Sequence, residues 1–375
     1  MSQLTSSIKL NIQNSIGWKT RRKIAIIESD DWGSIRMASK EAYNYLLKKG
    51  YKVDECSYNR NDALECNEDM EMLFGALSSV KDMHGSHAKI TANTIVANPD
   101  FNKIRDSDYQ QYYYEPFTET LKRYPNHDKV LEFYKEGIAA NIFIPQFHGR
   151  EHLNVLNWMN ALGAAKKEVK DAFEFEMFTI HAHGLSSCRK EYLQAFGGYS
   201  TQEIEGYKSK LITGIDLFRN LMGYESPSFI APCYTWPTEI EETLKSCGIH
   251  YIQGTRVQRV PSKTSKGFKK QYHYLGQRNK HGQFYLVRNA FFEPSSDPHK
   301  DWINSCMGEI DNAFFWNKPA IISSHRVNYI GGINSSNRST GVKLLRQLLS
   351  NLIKKHPSVE FMTSDQLGDL ISQSA

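Results

Sequence analysis

The sequence predicts an α/β fold built on parallel strands, and two observations support this prediction. Short, almost uninterrupted apolar runs alternate along the chain with helical patterns, as in successive βα units. Polar and titratable residues recur where the apolar runs end, which is the edge where parallel sheets and barrels place their active sites. No internal repeat or linker divides the chain, so we expect a single domain with long insertions.

Composition excludes several classes of protein. The 375 residues are 40% hydrophobic and 23% charged, which rules out a disordered or fibrous chain. No apolar stretch approaches the ~20 residues of a membrane span, and the N-terminal segment lacks the apolar region of a secretory signal. We therefore expect a soluble cytoplasmic protein without a membrane span.

The charge and the cysteines narrow the choice of ligand. The net charge is only +5, which is weak evidence for nucleic-acid binding because such proteins usually carry a concentrated basic stripe. We therefore expect no nucleic-acid partner. The six cysteines are scattered without a C-x-x-C pair, which disfavours a disulfide framework or a thiolate zinc site. Any metal would be held by histidine and carboxylate. The oligomeric state is not predicted.

Apolar runs, helix caps and breakers place the elements in order. The first strand covers residues 23–29, an almost continuous apolar run typical of a strand buried on both faces, and it ends at the Asp-Asp-Trp-Gly segment of residues 30–33. A helix follows from Ser39, a good N-cap, to a stop at Gly50. The second strand, residues 88–96, is closed by an Asn-Pro-Asp turn.

Histidines end the next two strands. Residues 139–147 end at His148, and residues 173–180 end at a His-Ala-His-Gly segment. The remaining predicted strands are residues 228–231, 250–253, 284–288, 320–323 and 359–362, and the remaining predicted helices are residues 155–165, 201–222, 236–246, 342–355 and 364–371.

Asp30 and Asp31 form the first candidate site. Adjacent carboxylates after a buried strand point in different directions, so one can bind a metal while the other accepts a proton. The alternative is a solvated turn or a helix-capping pair, the commoner role of Asp in such a place.

His148 and His152 form the second candidate site. A spacing of four puts both imidazoles on one side of a helical turn, close enough to share an ion. Two such ligands with one carboxylate leave open positions, as in a catalytic metal centre. Glycine follows His148, so this is not the H-E-x-x-H order of metalloproteases. The alternative is a pair of buried histidines satisfied by backbone groups.

His325 ends the late strand and is the third candidate. Its unperturbed pKa of ~6.5 is easily tuned for a general acid, although a lone histidine there is more often structural.

Taken in order, these segments resemble the motifs of the polysaccharide deacetylase family (carbohydrate esterase family 4). The Glu-Ser-Asp-Asp-Trp-Gly segment of residues 28–33 resembles the family's first motif, and the His-x-x-x-His of residues 148–152 its second. The Ile-Ala-Pro-Cys-Tyr segment of residues 230–234 is similar to the family's third motif. The Asp-Trp pair of residues 301–302 is similar to the fourth motif, and the Ser-Ser-His segment of residues 323–325 is similar to the last motif. The resemblance extends from about residue 20 to the C-terminus.

The resemblance implies an incomplete or distorted (β/α) barrel. It implies a divalent metal, most often zinc with cobalt or manganese as alternatives, held by Asp31, His148 and His152. Asp30 would be the general base that deprotonates the metal-bound water, and His325 the general acid that protonates the leaving amine. The other residues expected at the site are Cys233 and Tyr234 (one offering an oxyanion-binding N–H), Trp236, Trp32 (substrate), Asp301, Trp302 and Arg150 (supporting).

Two departures from the family pattern carry expectations of their own. Ile230 replaces the arginine that pairs with the catalytic Asp in the family, so Arg150, Arg256 or Arg326 would have to supply that cation. Asp31 and His148 are 117 positions apart, which predicts an insertion over about residues 51–135. Its tyrosines, which either wall a sugar site or pack the insertion's own core, are Tyr109, Tyr112, Tyr113 and Tyr114.

Two local features offer alternatives. His181 and His183 form a His-x-His pair that would face one side of a strand, as in amidohydrolase metal sites; we interpret it as supporting the first centre or as structural. Residues 255–283 carry eight basic residues and no acidic residue, a basic insertion that either contacts phosphate on a linked sugar or is a solvated hairpin.

The function predicted from these residues is a metal-dependent hydrolase that removes an acyl group, N-acetyl by preference, from a sugar or glycan precursor. Two alternatives stay open: a catalytically impaired carbohydrate-binding relative, and an amidohydrolase or phosphoesterase centred on His181 and His183.

Overall fold

The computed structural model describes residues 3–180, 192–262 and 267–374. The strands are β1 (Lys23–Trp32), β2 (Ile90–Ile95), β3 (Ala97–Pro99), β4 (Tyr114–Pro116), β5 (Phe143–Gly149), β6 (Ser228–Ile230), β7 (Tyr251–Gly254), β8 (Val257–Pro261), β9 (Phe268–Tyr272), β10 (Phe284–Val287), β11 (Ala290–Phe291), β12 (Ala320–His325) and β13 (Val359–Phe361).

Helices connect or cover these strands. They are α1 (Gln3–Ser15), α2 (Lys40–Lys48), α3 (Ser57–Asn61), α4 (Asn67–Leu77), α5 (Phe101–Asp106), α6 (Phe117–Leu121), α7 (Val130–Ala139), α8 (Val155–Gly163), α9 (Lys167–Phe173), α10 (Thr201–Met222), α11 (Glu241–Ser246), α12 (Trp302–Phe315), α13 (Ser335–Lys355) and α14 (Ser364–Gln373). No helix in the described ranges is both long and apolar enough to cross a membrane.

Nine strands form one parallel sheet. Eight follow the order β10-β7-β6-β5-β2-β1-β12-β11, and β13 pairs with β1. The two end strands follow each other in the chain, and the residues between them bridge the seam: the Arg288 N–H donates to the Gly254 carbonyl (2.9 Å), and the Asn289 N–H donates to the Ile321 carbonyl (3.0 Å). The sheet is therefore a distorted (β/α) barrel, as expected.

Successive side chains of β1 point alternately into the barrel interior and toward the surrounding helices. Ile24 and Ile26 pack in a cluster with the β10 and β12 strands and α14, whereas Ala25 and Ile27 belong to a larger cluster with α4, α12 and α13. Since side chains two apart share a face of a strand, the positions after Ile26 on its face lead toward the carboxyl-terminal mouth of the barrel. Those positions hold carboxylates.

Most predicted elements are present, with shifted ends. The helix of residues 201–222 is observed with the predicted bounds, and the late helix begins earlier than predicted, at Ser335, because Asn334 caps it. The predicted strand of residues 139–147 is wrong at its start, since Ala139 ends α7 and β5 begins at Phe143. The predicted helix of residues 236–246 is helical only from Glu241, after a 3-10 turn.

The predicted strand of residues 173–180 is wrong. The segment ends α9 and continues without strand pairing, although Phe173, Met177, Phe178 and Ile180 are buried. Their burial is against helices and loops, and a short buried apolar run has the same pattern in a strand or outside one. His181 and His183, predicted to end this strand, lie outside the described residues.

The tyrosines of the predicted insertion pack inward. Tyr109, Tyr112 and Tyr113 contact the cluster that contains Phe101 and Trp158, which supports the interpretation that they fill a local core. Tyr114 is partly exposed, and the Arg150 guanidinium lies 4.0 Å from its ring centroid.

Candidate metal centre

A bulge in β1 brings both carboxylates of the Asp pair to the barrel mouth. Ser29 is paired with Ala92 on β2, but Trp32 is paired with Thr94, so β1 carries one extra residue between them. Asp31 has a φ of 76°, in the left-handed region that short polar residues tolerate best. Consecutive residues of a regular strand point to opposite faces; the bulge removes that restriction.

A second bulge, in β5, presents the first histidine. Thr94 pairs with Phe147 while Ile95 pairs with Gly149, which leaves His148 as the extra residue. Gly149 has a φ of 125°, a conformation that favours glycine. His152 lies in the loop that follows, so the prediction that a helical turn joins the two histidines is wrong. Their ring centroids are nevertheless 5.4 Å apart.

Asp31, His148 and His152 converge. Asp31 Oδ1 lies 3.3 Å from His148 Nε2 and 3.4 Å from His152 Nε2, and the ligand atoms of the three residues all lie within 4.8 Å of one another. All three side chains are buried. Two ligands that are each about 2.0–2.1 Å from a tetrahedral zinc ion stand about 3.3–3.4 Å apart. The spacing of Asp31 to each histidine therefore fits a shared ion.

The protonation states also suit a metal. His148 Nδ1 lies 2.9 Å from the Ile230 carbonyl, so an N–H there leaves the Nε2 lone pair free for an ion. Burial lowers the pKa of His152 to about 3, which keeps it neutral. Burial opposes ionisation of Asp31, but Arg36 and the histidines hold its pKa well below the usual range. One carboxylate and two imidazoles are a donor set for a divalent cation.

Asp30 is held by Arg288. Arg288 Nη2 donates to Asp30 Oδ1 (2.6 Å) and Nη1 donates to Oδ2 (2.8 Å), while Asn93 Nδ2 donates to Oδ1 (2.7 Å). Burial alone would raise the pKa of Asp30, but Arg288 and nearby histidines lower it to about 2. The guanidinium also pairs with Glu28. Asp30 is thus an ionised carboxylate beside the three residues that would hold an ion, and Arg288 supplies the cation that Ile230 cannot provide.

The cation on Asp30 is not one of the three that the sequence suggested. Arg150 pairs with Glu151, Arg326 pairs with Asp62 and Glu65, and Arg256 stacks on the Tyr272 ring. Those side chains are committed elsewhere in the fold, and the prediction that one of them replaces the motif arginine is wrong.

His325 faces Asp30 across neighbouring strands. The two residues are register partners of β1 and β12, and His325 Nε2 lies 3.6 Å from Asp30 Oδ2. The other ring nitrogen, Nδ1, lies 2.6 Å from Glu293 Oε1. Burial would lower the pKa of His325, but Glu293, followed by Asp30 and Asp31, raises it to about 9. His325 is therefore an imidazolium at neutral pH.

Two of the expected supporting residues do not reach the site. Asp301 is exposed and caps α12, where its Oδ1 accepts a hydrogen bond from the Asn304 N–H (3.0 Å). Trp302 packs in the large core cluster. The carboxylate that contacts His325 Nδ1 is that of Glu293.

The two tryptophans predicted to contact substrate are core residues. Trp32 is fully buried, and its Nε1 donates to Ser29 Oγ (3.0 Å). Trp236 is 2% exposed, and its Nε1 donates to Glu241 Oε1 (3.1 Å). Their indole faces are used in packing, which corrects that prediction.

Cys233 and Tyr234 do lie beside the site, in a turn with left-handed φ angles of 56° and 54°. The Tyr234 hydroxyl accepts a hydrogen bond from Arg288 Nη1 (2.9 Å). The Tyr234 N–H, however, donates to the Ala231 carbonyl (2.9 Å), so that donor is engaged within the turn.

Four residues of the site were missed by sequence reasoning. Arg288 left a signal, because it directly follows the apolar buried strand β10, whereas Asn93 lies inside buried β2 together with two threonines. Glu293 and Arg36 lie in loops without a pattern of their own, and their roles depend on what the fold brings near them.

Comparisons with known proteins establish the fold only. No family model and no curated protein matches the sequence. A solved structure from Parabacteroides distasonis, described as a "putative glycoside hydrolase/deacetylase", matches with a TM-score of 0.53 at 7% identity over 95% of this chain and 73% of that chain. A structure described as a "putative polysaccharide deacetylase" from Mycobacterium smegmatis matches with a TM-score of 0.46 at 10% identity over 96% and 94% of the two chains.

A larger protein also contains a similar region. The chain spans 40% of the length of the 4-alpha-glucanotransferase from Thermococcus litoralis, with a TM-score of 0.45, 10% identity and 92% of this chain covered. The fold class is thus that of the distorted (β/α) barrels. The Parabacteroides distasonis structure is the one of these three whose likeness supports the shared fold.

Proposed function

We propose that this protein is a metal-dependent, zinc-preferring hydrolase that removes an acyl group, by preference N-acetyl, from a carbohydrate. The observation that carries the proposal is the juxtaposition of three groups: the Asp31–His148–His152 triad, the Asp30–Arg288 pair and the His325–Glu293 pair. These supply, within one barrel mouth, a cation site, an ionised carboxylate and a protonated imidazole.

The side chains divide the work by their protonation states. A divalent cation held by the triad would polarise the acyl oxygen and lower the pKa of a coordinated water toward ~7, so that a weakly basic carboxylate suffices. Asp30, ionised above a pKa of about 2, accepts the proton of the attacking water. His325, protonated below a pKa of about 9, gives its proton to the nitrogen of the leaving amine.

A cavity of 580 Å³ is a candidate site for the sugar. Its lining includes Ser57 and Pro294, the chain neighbours of Tyr58 and Glu293, but none of the metal-centre side chains. The Tyr58 ring contacts the His325 ring edge-on with centroids 5.6 Å apart. The polar side chains lining the cavity include Arg60, Asn61, Asp297, Asn334, Asn337 and Thr340. Convergent polar groups of this kind suit the hydroxyls of a sugar.

The alternative of an impaired relative rested on the missing motif arginine. Arg288 provides the bidentate contact to Asp30 that this arginine would make, so the observation that motivated the alternative favours an active site instead. The alternative centred on His181 and His183 concerns residues outside the described ranges and stays a prediction.

The proposal is tested by acetate release. Purified protein is assayed for bound metal by mass spectrometry and for acetate release from N-acetylglucosamine oligomers, with Asp30→Asn, His325→Ala and His148→Ala beside the wild type. We expect loss of activity in all three and loss of metal only in His148→Ala. The matched controls Asp106→Asn and His281→Ala, outside the site, should retain both.

Two results would contradict the proposal. Undiminished acetate release in Asp30→Asn and His325→Ala would remove the base and the acid together. Metal and glycan binding by a wild type that releases no acetate would favour the carbohydrate-binding alternative.

A further inference from the structure

Arg36 is a buried cation with unused donors. It is 8% exposed, and its Nη2 donates to Asp31 Oδ2 at 3.3 Å. Its Nε lies 3.7 Å from Asp62 Oδ2, beyond hydrogen-bond distance, and neither Nε nor Nη1 has a hydrogen-bond partner. A guanidinium carries five N–H donors, and a buried donor without a partner costs about 1–3 kcal/mol, more when it is charged. Asp62 Oδ2 faces Nε and is also without a hydrogen-bond partner, so Nη1 is the donor for which the described residues offer no acceptor.

The two oxygens of Asp31 place Arg36 beside the centre. Oδ1 is the oxygen near both histidines, while Oδ2 accepts from Arg36. The guanidinium therefore lies on the other side of the same carboxylate. It also packs on the Tyr58 ring, with its central carbon 5.5 Å from the ring centroid, and the edge of that ring contacts His325. Arg36 thus belongs to the wall between the triad and the proposed acid.

Acyl hydrolysis needs a donor at this wall. When water adds to the acyl carbon, negative charge develops on the acyl oxygen, and donors already in place stabilise it best. The resemblance suggested an N–H near Cys233 or Tyr234, but the Tyr234 N–H is engaged with the Ala231 carbonyl. Among donors described at the mouth of the barrel, Arg36 combines a full positive charge with a buried N–H group, Nη1, that has no hydrogen-bond partner.

We propose that Arg36 binds the acyl oxygen through Nη1 and stabilises it as it becomes anionic; this inference rests on the proposed deacylation. The water oxygen bonds to the acyl carbon, the C=O electron pair moves onto the oxygen held by Arg36, and Asp30 takes the water proton. The C=O bond then re-forms, the C–N bond breaks, and the nitrogen takes the His325 proton. The products are acetic acid, which ionises to acetate in solution, and the free amine, and the proton on Asp30 returns to His325.

A purely structural Arg36, which only neutralises Asp31 and Asp62, makes different predictions. Loss of such a cation would lower stability or metal content without a selective effect on the transition state. An oxyanion donor instead contributes to kcat, where removal of one donor typically costs about 10²–10³-fold. The two roles are therefore separated by comparing kcat, KM, metal content and the affinity for a tetrahedral analogue.

The experiment compares Arg36→Gln and Arg36→Lys with wild type and with Arg338→Lys, a matched buried arginine paired with Asp69 in α13 and α4. The probe is a methylphosphonamidate analogue of N-acetylglucosamine, whose affinity is measured by calorimetry with and without added zinc. We expect Arg36→Gln to lose about 10²–10³-fold in kcat and a similar factor in analogue affinity, with KM and metal content nearly unchanged. Arg36→Lys should recover part of both losses, and Arg338→Lys should lose neither.

The outcomes separate this inference from the proposed function. Equal analogue affinity in wild type and Arg36→Gln, or a loss that only follows falling metal content, overturns the role of Arg36. A wild type that releases no acetate refutes the deacylation, yet the calorimetry on the same preparations still decides whether Arg36 binds an anionic oxygen. Circular dichroism and melting curves identify a variant that fails to fold, and Arg36→Lys then carries the comparison.

Discussion

At the scale of single residues, the chemistry of this site is set by which charged partner each buried group receives. Asp30 and His325 face each other at one register position, yet their pKa values move in opposite directions from their usual ranges. Arg288 lowers the pKa of Asp30 by more than burial raises it, and Glu293 raises the pKa of His325 by more than burial lowers it. A substitution of Arg288 should therefore shift only the acidic limb of the pH profile of activity, and a substitution of Glu293 only the basic limb.

Arg288→Lys is expected to move the acidic limb of the pH profile of kcat/KM to higher pH. Lysine cannot make the two parallel bonds to Asp30, so burial, which favours the neutral acid, would dominate. An arginine partner typically lowers the pKa of an Asp by about 1–3 units, and loss of that contribution raises the pKa by a comparable amount. Because Asp30 accepts a proton only when ionised, kcat/KM should fall off at a correspondingly higher pH. The measurement is a pH profile of acetate release.

The control for this prediction is Arg256→Lys. The sequence offered Arg256 as a partner of Asp30, but it lies on the Tyr272 ring instead. Its replacement should leave the acidic limb unmoved; a shift equal to that of Arg288→Lys would show that the limb does not report the Asp30–Arg288 pair.

Glu293→Gln is expected to move the basic limb of the pH profile of activity to lower pH. The Glu293 carboxylate is the largest influence raising the pKa of His325 to about 9, so its removal should return that pKa toward ~6.5. A general acid acts only while protonated, so activity at pH 8 should fall by roughly tenfold if the pKa drops by two units. Activity near pH 6 should be largely retained.

Asp301→Asn is the matched control, since the sequence predicts Asp301 as a supporting residue of the site and the structure places it at the start of α12. An unchanged basic limb in Glu293→Gln, or an equal shift in Asp301→Asn, would contradict the role given to Glu293.

At the scale of elements, two bulges create the metal centre. Regular β1 and β5 strands would send Asp30 and Asp31, or Phe147 and His148, to alternate faces. The extra residue in each strand re-aims one side chain into the barrel mouth. At both bulges a residue with a positive φ, Asp31 or Gly149, accompanies the placement of a metal ligand.

Gly149→Ala should test this coupling. The backbone at Gly149 has a φ of 125°, and an alanine there costs about 1–3 kcal/mol of strain, although space for a Cβ exists. We expect a lower melting temperature together with weaker zinc binding, because relief of the strain turns His148 away from Asp31. Gly163→Ala, at the end of α8 without a positive φ or a close contact, should do neither. Wild-type zinc affinity in Gly149→Ala would separate the bulge from the metal site.

The elements that the sequence predicts well are those defined by local pattern. Caps, apolar runs and strand-end histidines locate β1, β5, β12 and α10, and with them the triad. The predictions that are wrong or missing concern features that depend on tertiary contacts. The apolar run of residues 173–180 is buried without being a strand, and Arg288 and Glu293 gain their roles only because β10, β11 and β12 meet at the barrel seam. No periodicity encodes a partner 258 positions away, as Arg288 is from Asp30.

At the scale of the whole molecule, the ligands tie distant parts of the chain together. Asp31 and His148 are the second-last residues of β1 and β5, and these strands flank β2 in the sheet. The loop that carries His152 follows β5. An ion bound here connects the first strand with elements more than a hundred residues later, so its binding energy should contribute to the stability of the barrel.

Zinc added to metal-free protein should therefore raise the melting temperature. A ligand that binds only the folded state stabilises it by about 2.7 kcal/mol at a concentration of one hundred times Kd. For 375 residues, with an unfolding entropy near 2.1 cal/mol/K per residue, this corresponds to roughly 3 °C. A chelator should reverse the shift, and His152→Ala should abolish it, whereas His281→Ala, outside the triad, should retain it. The measurement is differential scanning calorimetry across a zinc titration. An equal shift in His152→Ala would place the stabilising ion elsewhere in the protein, and the triad would then no longer account for metal binding.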